Sequence, residues 1–351
     1  MGAIEVTGVE QERAWHTDAL PGVERVRPGL WSVPVPIPNN PLRYVLVYLL
    51  ELDDGVALID TGWSTEDAWS ALTAGLSVAG YAVTDIRAAL VTHIHPDHYG
   101  LAGRVREESG AWVALHPADA ALLPARYGLD IDGLLHNMRA LLVECGVPAE
   151  VVSELSAASM GIREFVRLAE PDVLLDDLAR VDLRGWDLIA LHTPGHSPGH
   201  LCFHDRERRL LISGDHILPR ISPNIAVHAQ QTGNPLADFL DALLRVRDLD
   251  VDEVLPAHEW RFRPLTQRVD QLLQHHRERL EETLSVVRAQ PGLTCWDATL
   301  QLSWSREWAR ITGYMRRAAI GETLAHLVLL ESRGAVGREG SMPARWHPTE
   351  A

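Results

Sequence analysis

Thr92-His93-Ile94-His95-Pro96-Asp97-His98 sets three imidazoles and a carboxylate within six consecutive residues. The apolar run before it, Ala88-Ala89-Leu90-Val91, reads as a buried strand. A strand that stops abruptly in metal-ligand side chains predicts a site at the edge of a sheet. Three other apolar runs end in the same way. Leu188–Leu191 leads to His196 within Thr193-Pro194-Gly195-His196-Ser197-Pro198-Gly199-His200. Leu210–Ile212 leads to Asp215 within Ser213-Gly214-Asp215-His216, and Glu253–Leu255 leads to His258 within Pro256-Ala257-His258-Glu259. Strand ends on one edge converge in space, so ligands distant in the chain can meet there.

The spacing suggests two metals. Neutral imidazole and carboxylate are borderline-to-hard ligands that suit zinc, iron or manganese. His93 and His95 are two apart and can point the same way on an extended turn, while Asp97 and His98 can serve a second ion. A bridging carboxylate, Asp215, would hold two cations roughly 3.5–4 Å apart, as in two-metal hydrolases. Ser197 and Ser213 lack a separate His/Asp partner, because the histidines near them are committed to metal, and this disfavours a serine triad. His192 and His200 read as structural or outer-shell residues. His116, His204, His216 and His228 have no motif support for ligation.

Around the cluster the pattern is α/β. Residues 1–28 read as an irregular segment, and Leu30–Val35 as a short strand. Pro34, Pro36, Pro38 and Pro41 predict a surface loop or an edge after it. Tyr44–Leu52 reads as a buried strand, Asp53-Asp54-Gly55 as a hairpin turn, and Val56–Ile59 as the returning strand that ends in Asp60-Thr61-Gly62. Ser64 or Thr65 can cap a helix to about Ala79. Residues 117–179 are expected to be helical, with Leu134, Leu135, Met138, Leu141, Leu142 and Cys145 on one apolar face. Such an insertion can be a lid or substrate wall, or plain scaffold, with equal weight. After Phe262 the strands stop, which sets a boundary between residues 1–262 and a helical 263–351. His275 and His276 are expected on the solvated side of the long helix there.

Composition narrows the function classes. All 32 basic residues of the 351 are arginine, so Schiff-base and pyridoxal chemistry, a Walker A lysine and a kinase lysine are excluded. The net charge of −16 repels polyanions, and it is uneven. Residues 263–351 carry 12 arginines against 10 acids, whereas the preceding part carries 20 against 38. The three separated cysteines form no CxxC pair and fit a reducing cytoplasm. No apolar leader or membrane-spanning run is read, so a cytoplasmic protein without membrane association is expected.

The series His-x-His-x-Asp-His, Gly-His, Gly-Asp and a last His, over roughly residues 25–262, resembles the metallo-β-lactamase superfamily, in particular its glyoxalase II-like hydrolase branch. The resemblance implies a four-layer αβ/βα sandwich. It implies metal 1 on His93, His95 and His196, metal 2 on Asp97, His98 and His258, and Asp215 between them. Zinc is the first candidate for both. Asp60 matches the family's acid that orients a ligand histidine by hydrogen bonding. Residues 265–340 resemble the small winged-helix-like domain that follows the hydrolase domain in some members. Arg306, Arg310, Arg316 and Arg317 form a modest basic cluster there. A packing or dimer-forming role is favoured over nucleic-acid binding.

Two cations lower the pKa of a shared water. The expected chemistry is therefore hydroxide attack on a carbonyl or phosphorus, with Asp97 both ligating and orienting the nucleophile. The apolar loop Ile217–Ile225 is expected at the pocket mouth, with Ile217, Arg220 and Asn224 as candidate substrate contacts, although packing of a long loop explains it equally. It favours a hydrophobic or acyl-bearing ester or thioester, free or carrier-bound. Endoribonuclease or phosphodiesterase activity is the alternative, a non-catalytic binding or regulatory protein the third reading, and β-lactam hydrolysis a weak fourth.

Overall fold

The computed structural model describes residues 3–128, 130–158, 160–230 and 233–349. In chain order the elements begin β1 Glu5–Val6, α1 Val9–His16, β2 Glu24–Arg27, β3 Leu30–Pro36, β4 Tyr44–Leu52, β5 Gly55–Ile59 and α2 Glu66–Ala79. There follow β6 Ile86–Leu90, α3 Pro96–Tyr99, α4 Ala102–Ser109, β7 Trp112–Leu115 and α5 Pro117–Ala120. Three helices come next, α6 Leu123–Tyr127, α7 Ile131–Glu144 and α8 Ala149–Ala157. Then run β8 Val173–Leu174, β9 Leu188–His192, β10 Leu201–Asp205, β11 Leu210–Gly214, α9 Pro235–Val246, β12 Glu253–Pro256 and β13 Phe262–Arg263. The chain closes with α10 Leu265–Ala289, α11 Cys295–Gln301, α12 Gly313–Ser332, β14 Val336–Glu339 and β15 Arg345–Pro348.

Two compact units result. One comprises Met1–Leu123, Ile162–Pro223 and Ala242–Asp270 and holds both large sheets. The other comprises Pro124–Gly161, Asn224–Asp241 and Gln271–Ala351 and is helical apart from the β14–β15 ribbon. The anticipated boundary at 262/263 falls just before α10, whereas the division into units lies inside that helix, at 270/271. Residues 124–161 of the helical insertion belong to the second unit. Among the described residues, no helix is long and apolar enough to cross a membrane.

The seven-stranded sheet has the order β2-β3-β4-β5-β6-β7-β8, and the six-stranded sheet the order β1-β13-β12-β11-β10-β9. β4 explains how they pack. Its first seven residues are buried. Tyr44, Leu46, Tyr48 and Leu50 share one cluster with Leu201 and Phe203 of β10 and Leu210 and Ile212 of β11, from the other sheet. The alternate residues Val45, Val47 and Leu49 are buried on the opposite face. Helix α2 packs on β3, and α4 on β6 and β7, so the outer face of this sheet is covered as well. Burying each such side chain contributes about 1.5–3 kcal/mol.

Of the loop or edge expected at the prolines, Pro34 and Pro36 take the edge: they do not end β3. β3 pairs with β4 along its whole length, but β2 reaches only Leu30–Ser32. The two prolines thus lie where one side of the strand needs no N–H donor. Residues 1–28, expected to be irregular, form β1, α1 and β2 among those described, and α1 buries Gln11, Ala14 and Trp15.

Topology places the site. β5, β6 and β7 are parallel neighbours. β11 and β12 are parallel, and β9 runs with them because both β9 and β11 oppose β10. Each set of parallel strands therefore delivers its C-terminal residues to one sheet edge.

Candidate metal centre

Each residue of the candidate centre lies in the segment that follows a strand end. β5 leads to Asp60, β6 to Thr92–His98, β9 to His196, β11 to Asp215 and β12 to His258. Pro96 starts the short helix α3, which turns Asp97 and His98 back toward the edge. The donors of His93, His95 and His196 lie within 4.8 Å of one another, as do those of His93, His98 and Asp215, and those of Asp97, His98 and His258. The structure thus brings together all seven residues singled out as ligands.

Distances and hydrogen bonds test whether metals fit. His93 Nε2 to His95 Nδ1 and His95 Nδ1 to His196 Nε2 are both 2.9 Å, and His196 Nε2 to Asp215 Oδ2 is 3.4 Å. His258 Nε2 lies 3.2 Å from Asp215 Oδ1 and 3.4 Å from Asp97 Oδ2, and His98 Nε2 lies 3.5 and 3.6 Å from the same two carboxylates. Donors bound at about 2.1 Å to one tetrahedral zinc stand about 3.4 Å apart. Moreover, His98 Nε2, His258 Nε2 and Asp215 Oδ1 are buried without a hydrogen bond. Such atoms are costly unless something satisfies them, and a cation would.

The far side of each ring is tied down. His258 Nδ1 donates to the Tyr44 carbonyl at 2.8 Å, which leaves its Nε2 lone pair facing the centre. His98 Nδ1 donates to Asp60 Oδ2 at 2.7 Å. Asp60 also accepts from the Thr92 N–H at 2.8 Å and the Thr92 hydroxyl at 3.0 Å. The Thr92 oxygen in turn meets His93 Nδ1 at 3.0 Å. One buried carboxylate thus orients His98 directly and His93 through Thr92. Asp60 holds φ +63, an unusual backbone conformation spent at this turn. His200 Nε2 accepts from the Asp215 N–H at 3.1 Å. Gly214 allows this, since a Cβ there would come within 2.7 Å of that nitrogen.

Electrostatics split the histidines into two groups. Burial lowers His93 well below its ordinary pKa, and the neighbouring His98, His95 and His196 add to this. Burial opposes charge on His98 too, but Asp60, Asp97 and Asp215 outweigh it and carry it up to about 9. His258 is likewise raised by Asp215 and Asp97 against burial. Asp97 and Asp215 are lowered, despite burial, by His98 and His258. The cluster is built to hold charges of both signs out of water.

His93, His98 and His258 expose no surface, whereas Asp97 and His196 are each 8% exposed. His95 is half-buried. Solvent therefore reaches the centre from the His95–Asp97–His196 side. The expected substrate contacts sit elsewhere in the bonding scheme. Ile217 is fully buried, and its carbonyl accepts from Ser213 Oγ at 2.8 Å. Arg220 Nε is bonded to Glu259 Oε1 at 2.9 Å. Asn224 belongs to the helical unit and donates to Glu322 at 3.3 Å. The roles of Thr92 and the Tyr44 carbonyl were not legible beforehand, because a hydroxyl beside a motif and a backbone oxygen carry no pattern.

Comparison with known proteins agrees with this geometry. The model of the metallo-beta-lactamase superfamily matches residues 40–258. The chain is 26% identical over 302 residues to a probable metallo-hydrolase, YqjP, of Bacillus subtilis, covering 83% of this chain and 89% of that one. It is 27% identical over 174 residues to the human acyl-coenzyme A thioesterase MBLAC2, covering 48% of this chain and 55% of that protein. Among solved structures, a metallo-beta-lactamase family protein from Thermus thermophilus superposes with a TM-score of 0.79 at 34% identity, over 93% of this chain and all of that one.

Proposed function

The chain belongs to the metallo-β-lactamase superfamily, and from that premise we propose that it is a two-metal hydrolase of acyl esters or thioesters. The observation that carries this reading is the convergence of seven donors on overlapping triads, with His98 Nε2, His258 Nε2 and Asp215 Oδ1 buried and unbonded. His93, His95 and His196 would hold one ion, Asp97, His98 and His258 the other, and Asp215 both. When bound, two divalent cations, zinc first among them, supply Lewis-acid polarisation and a water acidic enough to ionise near neutral pH.

The remaining work falls to the chain itself. Asp97 lies on the solvent-facing side, and its carboxylate, lowered in pKa, can accept a hydrogen bond from the attacking water and orient it as the water gives up a proton. Water oxygen bonds to the carbonyl carbon, the C–S or C–O bond breaks, and the leaving thiolate or alkoxide takes the proton. Asp60 and Thr92 keep the imidazoles aligned through the cycle. The likeness to an acyl-coenzyme A thioesterase supports a thioester over a plain ester.

We assign the chemistry to residues 1–262 and a packing or self-association role to residues 263–351. Two arginines of the basic cluster of the tail are engaged within their own unit. Arg316 Nε donates to the Ile311 carbonyl at 2.8 Å, and Arg317, half-buried, donates to the Leu155 carbonyl at 3.2 Å. The test is a hydrolysis screen of zinc-reconstituted protein against acyl-coenzyme A thioesters, esters, lactones and an activated phosphodiester. The expected result is acyl-thioester cleavage that disappears on chelation. Cleavage of the phosphodiester alone would overturn the reading.

A further inference from the structure

Asp119 plays no part in the centre described so far, yet it is fully buried where two ligand loops meet. It sits on α5, the single turn after β7. Its Oδ2 accepts at 3.0 Å from the backbone N–H of Ile94, the residue between His93 and His95. The same oxygen accepts at 2.8 Å from the hydroxyl of Ser197, the residue after His196. Its Oδ1 accepts at 2.6 Å from the Gly199 N–H. That approach needs glycine at 199, because a Cβ would lie 2.5 Å from the Asp119 amide nitrogen and 2.7 Å from its Cβ. Nearby, His116 stacks on His192 with ring centroids 3.9 Å apart, joining the ends of the same two strands, β7 and β9. One carboxylate thus takes hydrogen bonds from a loop of each large sheet.

We propose that Asp119 is a positioning residue for the three-histidine half of the centre. It clamps the loop of His93 and His95 against the loop of His196, and so sets the affinity for the ion held there without touching it. The groups it binds are all donors, so an asparagine would turn an N–H₂ toward at least one of them. The bonds described run to the loops that carry His93, His95 and His196, so the effect is expected in that half. Partners of this kind, one step removed from the metal, typically change affinity 10–100-fold.

The proposal rests on the two-metal reading, and cobalt(II) alone serves as the probe. Wild type, Asp119→Asn and Ser197→Ala are titrated with cobalt(II), following the d–d absorption bands and competition with a chelator. Affinity for one of two ions should fall about 10–100-fold in Asp119→Asn and by a smaller factor in Ser197→Ala, with the other ion unchanged. A merely structural role would weaken both ions together or neither. Wild-type affinities for both ions in Asp119→Asn, or equal weakening of both, would overturn the proposal. Should Asp119→Asn fail to fold, Ser197→Ala, which keeps both backbone bonds, decides the matter: no selective weakening overturns it. If wild type takes up no cobalt, the two-metal reading falls and this inference with it.

Discussion

Buried histidines occur in both units, and what faces them differs. At the sheet edge, His98 and His258 look onto Asp60, Asp97 and Asp215, and their pKa values rise despite burial. In the helical unit, His276 on α10 and His326 on α12 meet each other, with His276 Nδ1 3.4 Å from His326 Nε2 and the Phe239 ring 5.4 Å from His276. There burial dominates, and His326, His275 and the cationic Arg279 reinforce it. His276 falls well below its ordinary value and His326 to about 4. An imidazole buried among carboxylates, with its Nδ1 fixed, fits a metal cradle. An imidazole buried among apolar and cationic groups is a neutral packing element. Neighbours, rather than residue type, decide between the two.

The largest effect that could break this contrast comes from the carboxylate placed between the two triads. Asp215→Ala should lower turnover on the order of 10³-fold, corresponding to several kcal/mol of lost electrostatic stabilisation, and should reduce bound metal. Near-normal turnover with full metal content would remove Asp215 from the centre. Asp60→Asn should act more mildly. It unties His98 and, through Thr92, His93, and is expected to weaken metal binding about 10–100-fold in a chelator competition.

The helical unit should respond to pH instead of metal. The folded pKa of His326, about 4, lies below the ordinary 6.5. The unfolded chain therefore takes up the proton first, and the stability tied to the neutral ring is complete above about pH 6.5 and lost as pH falls toward 4. Between pH 7 and pH 5 this group should cost the fold about 2 kcal/mol, a loss that His326→Leu should abolish in urea unfolding at the two pH values. An unchanged pH dependence in the variant would place the cause elsewhere. The smallest effect is expected from Thr294, whose hydroxyl accepts from the Asp297 N–H at 3.1 Å and closes a capping box at the start of α11. Thr294→Ala should lower stability by about 1 kcal/mol and leave metal content untouched.

The centre was legible in the sequence because its information is local. Each candidate ligand lies within one short segment after an apolar strand, and parallel strands carry those ends to one edge. β4, the turn at residues 53–54 and the cap Thr65 of α2 were legible for the same reason. Two-residue strands such as β8 and β13 leave no periodic signal, and α1 buries only a short, partly polar face. His276 was expected on the solvated side of the long helix, yet it is buried; its sequence neighbours Gln274, His275, Arg277 and Glu278 are polar. Helical spacing could have placed it, since Val269, Leu272, His276, Leu280, Thr283 and Val287 recur every three or four residues along α10 and are all buried. Asp119 and the inclusion of residues 124–161 in the helical unit are tertiary facts, decided by contacts between segments far apart in sequence.

The central claim is that seven residues from four strand ends hold two ions. Native mass spectrometry of zinc-reconstituted wild type and His258→Ala tests it most directly. The account predicts two zinc ions per wild-type chain and at most one in the variant. A wild-type chain carrying no zinc, or a variant that still carries two, would contradict it.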